Sequence, residues 1–235
     1  GDVYKRQSIQ WTQQIGTSTV DDGHAVTTDS SDNIYITGRT WGGLDGSNKP
    51  NVCKNVTSTA SKVCSDIFLL KYGSDGEKQW TQQIVASSKE IAYGVAVDSV
   101  GNIYLTGYTS GTLEGVNSGA NDIFLIKYSS DGIKQWIEQF GSSEDDSGLG
   151  IRVDSKDNVY VTGYTEGGLD GNTNSGKQDI FLVKFNSSGA KLWTKQLGTP
   201  FDDSANGLAM DSSDNIYVTG YTEGNMYTYS PQYIP

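Results

Sequence analysis

The sequence is dominated by an internal repeat with a period close to 56 residues. A hexapeptide of the form Asn-(Ile/Val)-Tyr-x-Thr-Gly begins at four positions, which are Asn33, Asn102, Asn158 and Asn215. A second motif, Asp-Ile-Phe-Leu-x-Lys-(Tyr/Phe), begins at Asp66, Asp122 and Asp179. A fixed period of this size, built from short strand-like segments, indicates a propeller or a solenoid. The repeat therefore constrains the architecture much more than it constrains the function.

One repeat unit divides into four predicted strands. In the second unit these strands cover residues 93–98, 102–109, 122–128 and 133–140. The dipeptide Asp131-Gly132 is typical of a hairpin turn, which argues against a parallel β-helix as the alternative architecture. Both faces of the two middle strands are largely apolar, so each sheet must be covered on both sides, as stacked propeller blades are. The sequence predicts an all-β propeller of four-stranded antiparallel blades with about 56 residues per blade.

The repeats predict a partial ring of three full blades and two part-blades within residues 8–222, with units near 8–39, 66–109, 122–165 and 179–222. Residues 8–15 are predicted to be a lone fourth strand, and residues 223–235 to be irregular or a degenerate strand. The segment 2–7 matches no part of the repeat and equals the translation of a common transposase adapter. We interpret residues 1–7 as an adapter artefact and expect the gene to begin upstream.

Composition excludes several classes of function. The net charge is −11, and such an acidic surface repels the phosphate backbone of nucleic acids. No apolar run approaches the roughly 18 residues that a membrane span needs. His24 is the sole histidine, and no motif places a nucleophile beside it, so a catalytic triad or a zinc site is poorly supported. We expect neither an enzyme nor a bound cofactor.

Two cysteines, Cys53 and Cys64, lie in the loop between the second and third strands of the first unit. This loop is 13 residues longer than its counterpart in the second unit. Because no histidine is nearby to complete a zinc site, a local disulfide is favoured, with free thiols as the alternative. A disulfide here would indicate an oxidising compartment.

The repeat resembles the SBBP family of bacterial seven-bladed β-propeller repeats. The matching run is Trp-x-x-Gln-x-Gly, an acidic pair, Val-Asp-Ser-x-x-Asn-Ile-Tyr-Val-Thr-Gly-Tyr-Thr, a Gly-Leu-Asp-Gly loop and Asp-Ile-Phe-Leu-Val-Lys-Tyr. The resemblance covers nearly all of residues 8–222 and implies a secreted or cell-surface bacterial protein that serves as an interaction scaffold. The first unit departs from the pattern through its cysteine insertion and Arg39, which replaces a tyrosine, and the units number fewer than seven.

Four aromatic residues are candidates for ligand contact. Trp41 lies outside the tryptophan series in a glycine-rich loop, whereas Tyr108, Tyr164 and Tyr221 end equivalent strands and could line one face of the propeller. An aromatic rim with acidic loops would suit a protein or glycan ligand. Trp41 is expected to contribute to partner capture and not to stability.

One loop carries weak candidates for a Ca²⁺ site, namely Asp170, Asn172 and Asn174. The loop resembles the first half of a calcium loop, but its glycine is misplaced by one position and Phe181 stands where the bidentate glutamate is required. The Asp-x-x-x-Asn turns before each hexapeptide could also offer oxygens to Ca²⁺, but a structural Asx turn is favoured because the turn recurs in every unit.

We therefore predict a non-enzymatic, extracellular β-propeller scaffold that binds a partner through its loops. Two alternatives stay open. The chain could be the propeller part of a larger extracellular hydrolase or lyase whose catalytic residues lie elsewhere, or it could be a structural spacer.

Overall fold

The computed structural model describes residues 8–44, 46, 64–85 and 88–226 of the 235-residue chain, so residues 1–7 lie outside the described part. The regular elements within these ranges are β-strands arranged in antiparallel sheets. The described part contains no helix long and apolar enough to cross a membrane.

Three sheets have four strands each, and their spatial order follows the chain. The first blade contains β1 (Asp21–Thr28), β2 (Ile34–Thr40), β3 (Asp66–Tyr72) and β4 (Lys78–Ile84). The second contains β5 (Glu90–Val97), β6 (Ile103–Thr109), β7 (Asp122–Tyr128) and β8 (Lys134–Phe140). The third contains β9 (Asp146–Val153), β10 (Val159–Thr165), β11 (Asp179–Phe185) and β12 (Lys191–Leu197), and a fourth sheet pairs β13 (Asp203–Met210) with β14 (Ile216–Thr222). The predicted all-β, blade-like architecture is confirmed.

The blades are arranged radially, with the first strand of each blade innermost. Strand β1 lies beside β5, β5 beside β9, and β9 beside β13, while the fourth strand of each blade lies on the outside. Adjacent sheets share apolar cores, so Tyr35 and Leu69 of the first blade pack in one cluster with Val95 and Ile103 of the second. The second blade, which has a neighbour on each side, is thus covered on both faces, which explains why its middle strands are apolar on both sides.

The turn before each hexapeptide is held by one aspartate. In the second blade, Asp98 Oδ1 accepts hydrogen bonds from the backbone N–H of Val100 and Asn102, while Oδ2 accepts from Asn102 Nδ2 and Tyr104 Oη. The same network recurs around Asp29, Asp154 and Asp211. The Asp, Asn and Tyr of the repeat are therefore bonded to one another, as expected for a structural Asx turn.

Tryptophan joins consecutive blades. Trp80 and Trp136 lie against the hairpin glycines of the following blades, where a β-carbon on Gly132 or Gly189 would be 3.2 Å or 3.3 Å from the indole. Trp11 lies in the same way against Gly76 and donates a hydrogen bond from Nε1 to the carbonyl of Ser74 at 3.3 Å. The tryptophan series therefore packs between blades.

The prediction of a strand over residues 8–15 is wrong, because residues 8–17 form no strand. A fourth strand needs the third strand of its own blade for hydrogen bonding, and the described residues supply none at this position. Trp11 keeps its place against the first blade even though its segment is not part of a sheet.

The two ends of the arc expose side chains that the interior buries. Val26 of β1 is 66% exposed, whereas the equivalent Val95 of β5 is 4% exposed. Tyr217 of β14 is 58% exposed, whereas the equivalent Tyr35 of β2 is fully buried. Burial in this fold therefore depends on the neighbouring blade as much as on the blade itself.

Candidate functional site

Every inner strand has a β-bulge at one residue. The bulged residues are His24 in β1, Tyr93 in β5, Leu149 in β9 and Asn206 in β13. Next to the bulge, a backbone carbonyl of the inner strand lies very close to the glycine of the second strand. A β-carbon on Gly107 would lie 1.8 Å from the carbonyl oxygen of Ile91. The glycine that ends each hexapeptide is therefore required by the bulge.

The bulged position varies in chemistry although its surroundings repeat. It is occupied in turn by an imidazole, a phenol, an aliphatic chain and a carboxamide, while the Thr-Gly opposite it is the same in all four units. Side chains that held the blades together would be expected to repeat as well. The variation indicates that the bulged side chains serve contacts outside the blade, and bulges are known to re-aim side chains near functional sites.

Two bulged side chains join two tyrosines of the second strands in a group that we call the aromatic cluster, defined as His24, Tyr93, Tyr108 and Tyr164. The ring centroids of His24 and Tyr93 are 5.0 Å apart, and those of Tyr93 and Tyr108 are 6.1 Å apart. Tyr164 is included on electrostatic grounds: burial raises its pKa to about 12, and the charges of Asp145 and Glu166 and then those of Tyr108 and Tyr93 add to this rise. The cluster thus spans the first three blades.

Charged groups flank the aromatic cluster asymmetrically. On one side, Lys89 Nζ lies 5.3 Å from the ring centroid of Tyr108. On the other side, the carboxylates of Asp145 and Glu166 are close enough to Tyr164 to raise its pKa further. The cluster therefore lies between a basic edge and an acidic edge.

The imidazole of His24 is held in its neutral form. Burial lowers its pKa, and the nearby Arg39 lowers it further, while Asp22 acts in the opposite direction. A neutral imidazole offers one hydrogen-bond donor and one acceptor. Arg39 also forms an ion pair with Asp22 at 2.8 Å and lies 5.9 Å from the ring centroid of Trp41.

The structure brings together some of the predicted contact residues. Tyr108 and Tyr164 belong to the aromatic cluster, and Trp41 is connected to it through Arg39. Tyr221 lies apart, is 46% exposed, and donates to Gln178 Oε1 at 3.4 Å. Sequence reasoning missed Tyr93 as a contact residue and gave His24 no binding role, although the variation of this position between units was a usable signal.

The weak calcium candidates already have partners. The carboxylate of Asp170 accepts hydrogen bonds from Lys191 at 2.8 Å and from the hydroxyl of Thr194. Asn172 Nδ2 donates to the carbonyl of Leu169, and Asn174 Nδ2 donates to the carbonyl of Lys177. In the described ranges no group of three or more His, Cys, Asp or Glu side chains is arranged to hold a metal ion.

The predicted pair of cysteines is only half described. Cys64 is buried just before β3, and Cys53 lies outside the described residues. The disulfide between them stays a prediction.

Comparison with known proteins supports the repeat assignment. The SBBP beta-propeller repeat family model matches residues 10–45, 79–113, 135–170 and 192–227. An uncharacterized WD repeat-containing protein of Acanthamoeba polyphaga mimivirus is 25% identical over 95% of this chain and 18% of its own length. The regulatory protein FlaEY of Caulobacter vibrioides is 26% identical over 65% of this chain and 18% of its own length. The chain thus spans about a fifth of the length of these curated relatives.

Proposed function

The chain belongs to the SBBP beta-propeller repeat family, and from that membership we propose that it is a non-enzymatic binding scaffold whose aromatic cluster contacts the ligand. The observation that carries this proposal is the variable bulge within an otherwise regular repeat. Similar blade-packing residues provide a rigid frame, and the bulges place different side chains on that frame. In many proteins a rigid scaffold of this kind positions the variable residues that bind the ligand.

The surroundings of the cluster favour binding over catalysis. The described contacts of His24 are the ring of Tyr93 and the charges of Arg39 and Asp22, which together favour a neutral imidazole. General acid–base catalysis would also require a partner within hydrogen-bond reach of the imidazole, and the described residues give the His24 side chain none. A larger hydrolase or lyase that contains this propeller would have to supply such groups from elsewhere.

The ligand that we propose is a glycan or a segment of another protein. The exposed His24 and the half-buried Tyr93 and Tyr164 give stacking surfaces, with Tyr108 buried beneath them. Their phenols and the flanking carboxylates give hydrogen-bonding partners, as both ligand classes require. The proposed location is the exterior of a bacterial cell. The resemblance to the SBBP repeat family is what supports this location.

The test is a comparison of Tyr93→Ala with the unaltered chain on a glycan array and a surface-displayed peptide library. We expect at least ten-fold weaker capture of any ligand that the unaltered chain retains, because Tyr93 contacts both His24 and Tyr108. Ile133→Ala is the matched control, since Ile133 is an exposed residue that follows a hairpin turn outside the cluster. Equal capture by all three proteins would contradict the proposal, and failure to capture anything would favour the spacer alternative.

A further inference from the structure

The fourth bulge contains the only Asn-Gly dipeptide of the sequence. Asn206 is the bulged residue of β13, and Gly207 follows it. An asparagine before glycine can cyclise readily, because glycine has no side chain to hinder the approach of its backbone nitrogen to the preceding carboxamide. The fold of the fourth sheet therefore decides whether this pair is protected from reaction or left open to it.

The side chain of Asn206 is exposed and weakly held. Ala205 and Leu208 of the same strand are buried, whereas Asn206 faces solvent. Ser204 Oγ donates to Asn206 Oδ1 at 3.5 Å, which is beyond the usual range for two oxygens. Among the described residues, no acceptor is bonded to Nδ2, the nitrogen that cyclisation would release. The carboxamide is thus free to turn towards the backbone of the next residue.

Asparagines that precede serine are held more firmly. In the described ranges these are Asn117, Asn174 and Asn186. Asn186 Oδ1 accepts hydrogen bonds from the N–H and the hydroxyl of Ser188 and from the N–H of Ala190, at 3.1, 2.7 and 2.9 Å. Asn117 and Asn174 each accept from the N–H of the glycine two residues later, at 3.0 and 2.7 Å. Asn206 therefore differs from them both in the residue that follows and in the support of its carboxamide.

The backbone around Asn206 is poorly supported as well. The ladder between β13 and β14 is irregular at this residue, since no residue of β14 pairs with it. The two strands form a sheet of their own, and β14 is exposed along most of its length. Cyclisation requires the backbone nitrogen of Gly207 to reach Cγ of Asn206, which needs local opening of this strand pair. Opening a two-stranded sheet with an exposed partner strand costs little free energy.

We propose that Asn206 is a site of spontaneous modification, at which the carboxamide becomes a carboxylate without an enzyme. The backbone nitrogen of Gly207 gives its proton to solvent and forms a bond to Cγ of Asn206, and the bond between Cγ and Nδ2 breaks. Nδ2 takes up a proton and leaves as ammonia. Water then opens the cyclic imide at either of its carbonyl carbons, which gives aspartate or isoaspartate. The whole reaction consumes one water and releases one ammonia, and it needs neither an oxidant nor a reductant.

The products change the chemistry of the fourth bulge. The equivalent residues of the first three blades are His24, Tyr93 and Leu149, none of which carries a carboxylate. The reaction adds one negative charge at position 206 and removes the two N–H donors of the carboxamide. Isoaspartate also adds one carbon to the backbone of β13. An effect on ligand capture rests on the proposed function, whereas the reaction itself does not.

The experiment is incubation of the folded chain at mildly alkaline pH, followed by digestion and mass spectrometry of the peptides that contain Asn206 and Asn186. We expect Asn206 to convert at least ten-fold faster than Asn186, whose hydrogen bonds must break before it can react. Both aspartate and isoaspartate should form, since direct hydrolysis of the carboxamide would give aspartate alone. The Asn206→Gln variant should gain no charge at this position, because its longer side chain cannot form the same five-membered ring.

Three results would overturn the proposal. If Asn206 stayed intact in the folded chain, the proposal would be wrong, and conversion of the same residue in urea would show that the sheet protects it. If Asn206 and Asn186 converted at equal rates, the local structure would not select the site. If aspartate formed without isoaspartate, the reaction would not pass through the cyclic imide.

Discussion

At the scale of single residues, burial acts in opposite directions on two groups of carboxylates. In the Asx turns, hydrogen bonds from Asn158 and Lys156 outweigh burial and hold the pKa of Asp154 below its usual value. At the start of β5, burial outweighs the hydrogen bonds from Ser88 and Thr109 and raises the pKa of Glu90 to about 7. The turn acids therefore favour the folded state when ionised, whereas Glu90 favours it when protonated.

The free energy of unfolding should fall as the pH rises from about 5 to 8. The pKa of Glu90 in the folded state lies above its unfolded value of about 4.5, so its contribution is complete at low pH and is lost as the pH passes 7. The expected loss is on the order of 3 kcal/mol. Urea unfolding at several pH values measures it, and Glu90→Gln should flatten the dependence. An unchanged slope in that variant would mean that another group is responsible.

Replacement of Gly107 by alanine should be strongly destabilising. The new methyl group would lie 1.8 Å from the carbonyl oxygen of Ile91, so the bulge beside Tyr93 could not keep its geometry. We expect a loss of about 3 kcal/mol or more in the free energy of unfolding, measured by urea denaturation. Gly23→Ala is the control, because the nearest atom to its β-carbon would be 3.9 Å away. Similar losses in both variants would show that the close contact is not the cause.

At the scale of elements, consecutive blades are linked by their Asx turns. The N–H and hydroxyl of Ser99 donate to the carboxylate of Asp157 in the next blade, both at 3.0 Å. Ser155 makes the same contacts with Asp214. The accepting aspartates have a positive φ near 60°, a conformation that costs a non-glycine residue energy. The link between turns offsets this cost.

Asp157→Gly and Asp32→Gly should therefore differ in effect. Both replace an aspartate whose φ is 60°, and glycine adopts that conformation without strain. Asp157→Gly also removes two hydrogen bonds from Ser99, so we expect it to lower the free energy of unfolding by about 1 kcal/mol. Asp32→Gly removes no described contact of this kind and should be neutral or slightly stabilising. Thermal unfolding of the two variants tests this prediction. Equal shifts in melting temperature would exclude the proposed link between the turns.

The sequence predicted which segments form strands more accurately than it predicted the residues at which those strands begin. The third strand of the second unit was predicted at residues 122–128, which are the bounds of β7. The first strand was predicted from residue 93, yet β5 begins at Glu90, because a buried glutamate is not expected at the start of a strand. Bulges could not be predicted from one strand, since a bulge is defined by its register against the partner.

At the scale of the whole molecule, the candidate site is assembled from separate blades. His24 comes from the first blade, Tyr93 and Tyr108 from the second, and Tyr164 from the third. The sequence predicted two of these residues because they end equivalent strands. It could not place the others, because their proximity depends on how the inner strands meet.

The rate of amide hydrogen exchange should depend on whether a strand has a neighbouring blade on each side. Strand β6 is buried along its whole length between neighbouring blades, whereas β14 is exposed along most of its length. We expect amides of β14 to exchange at least ten-fold faster than those of β6, because stability in repeat folds depends on neighbouring units. Peptide-resolved exchange with mass detection measures this. Uniform exchange across both strands would mean that the arc opens only as a whole.

The bulge gives each blade one position whose side chain differs from unit to unit. Because the bulged His24 and Tyr93 meet across the first two blades, a mutation at a bulge changes the local surface together with one contact between blades. Duplication of a blade adds one more bulged position, and point mutation can then change the side chain at that position independently of the others. Recognition in such a chain can evolve blade by blade, while the inherited architecture stays the same.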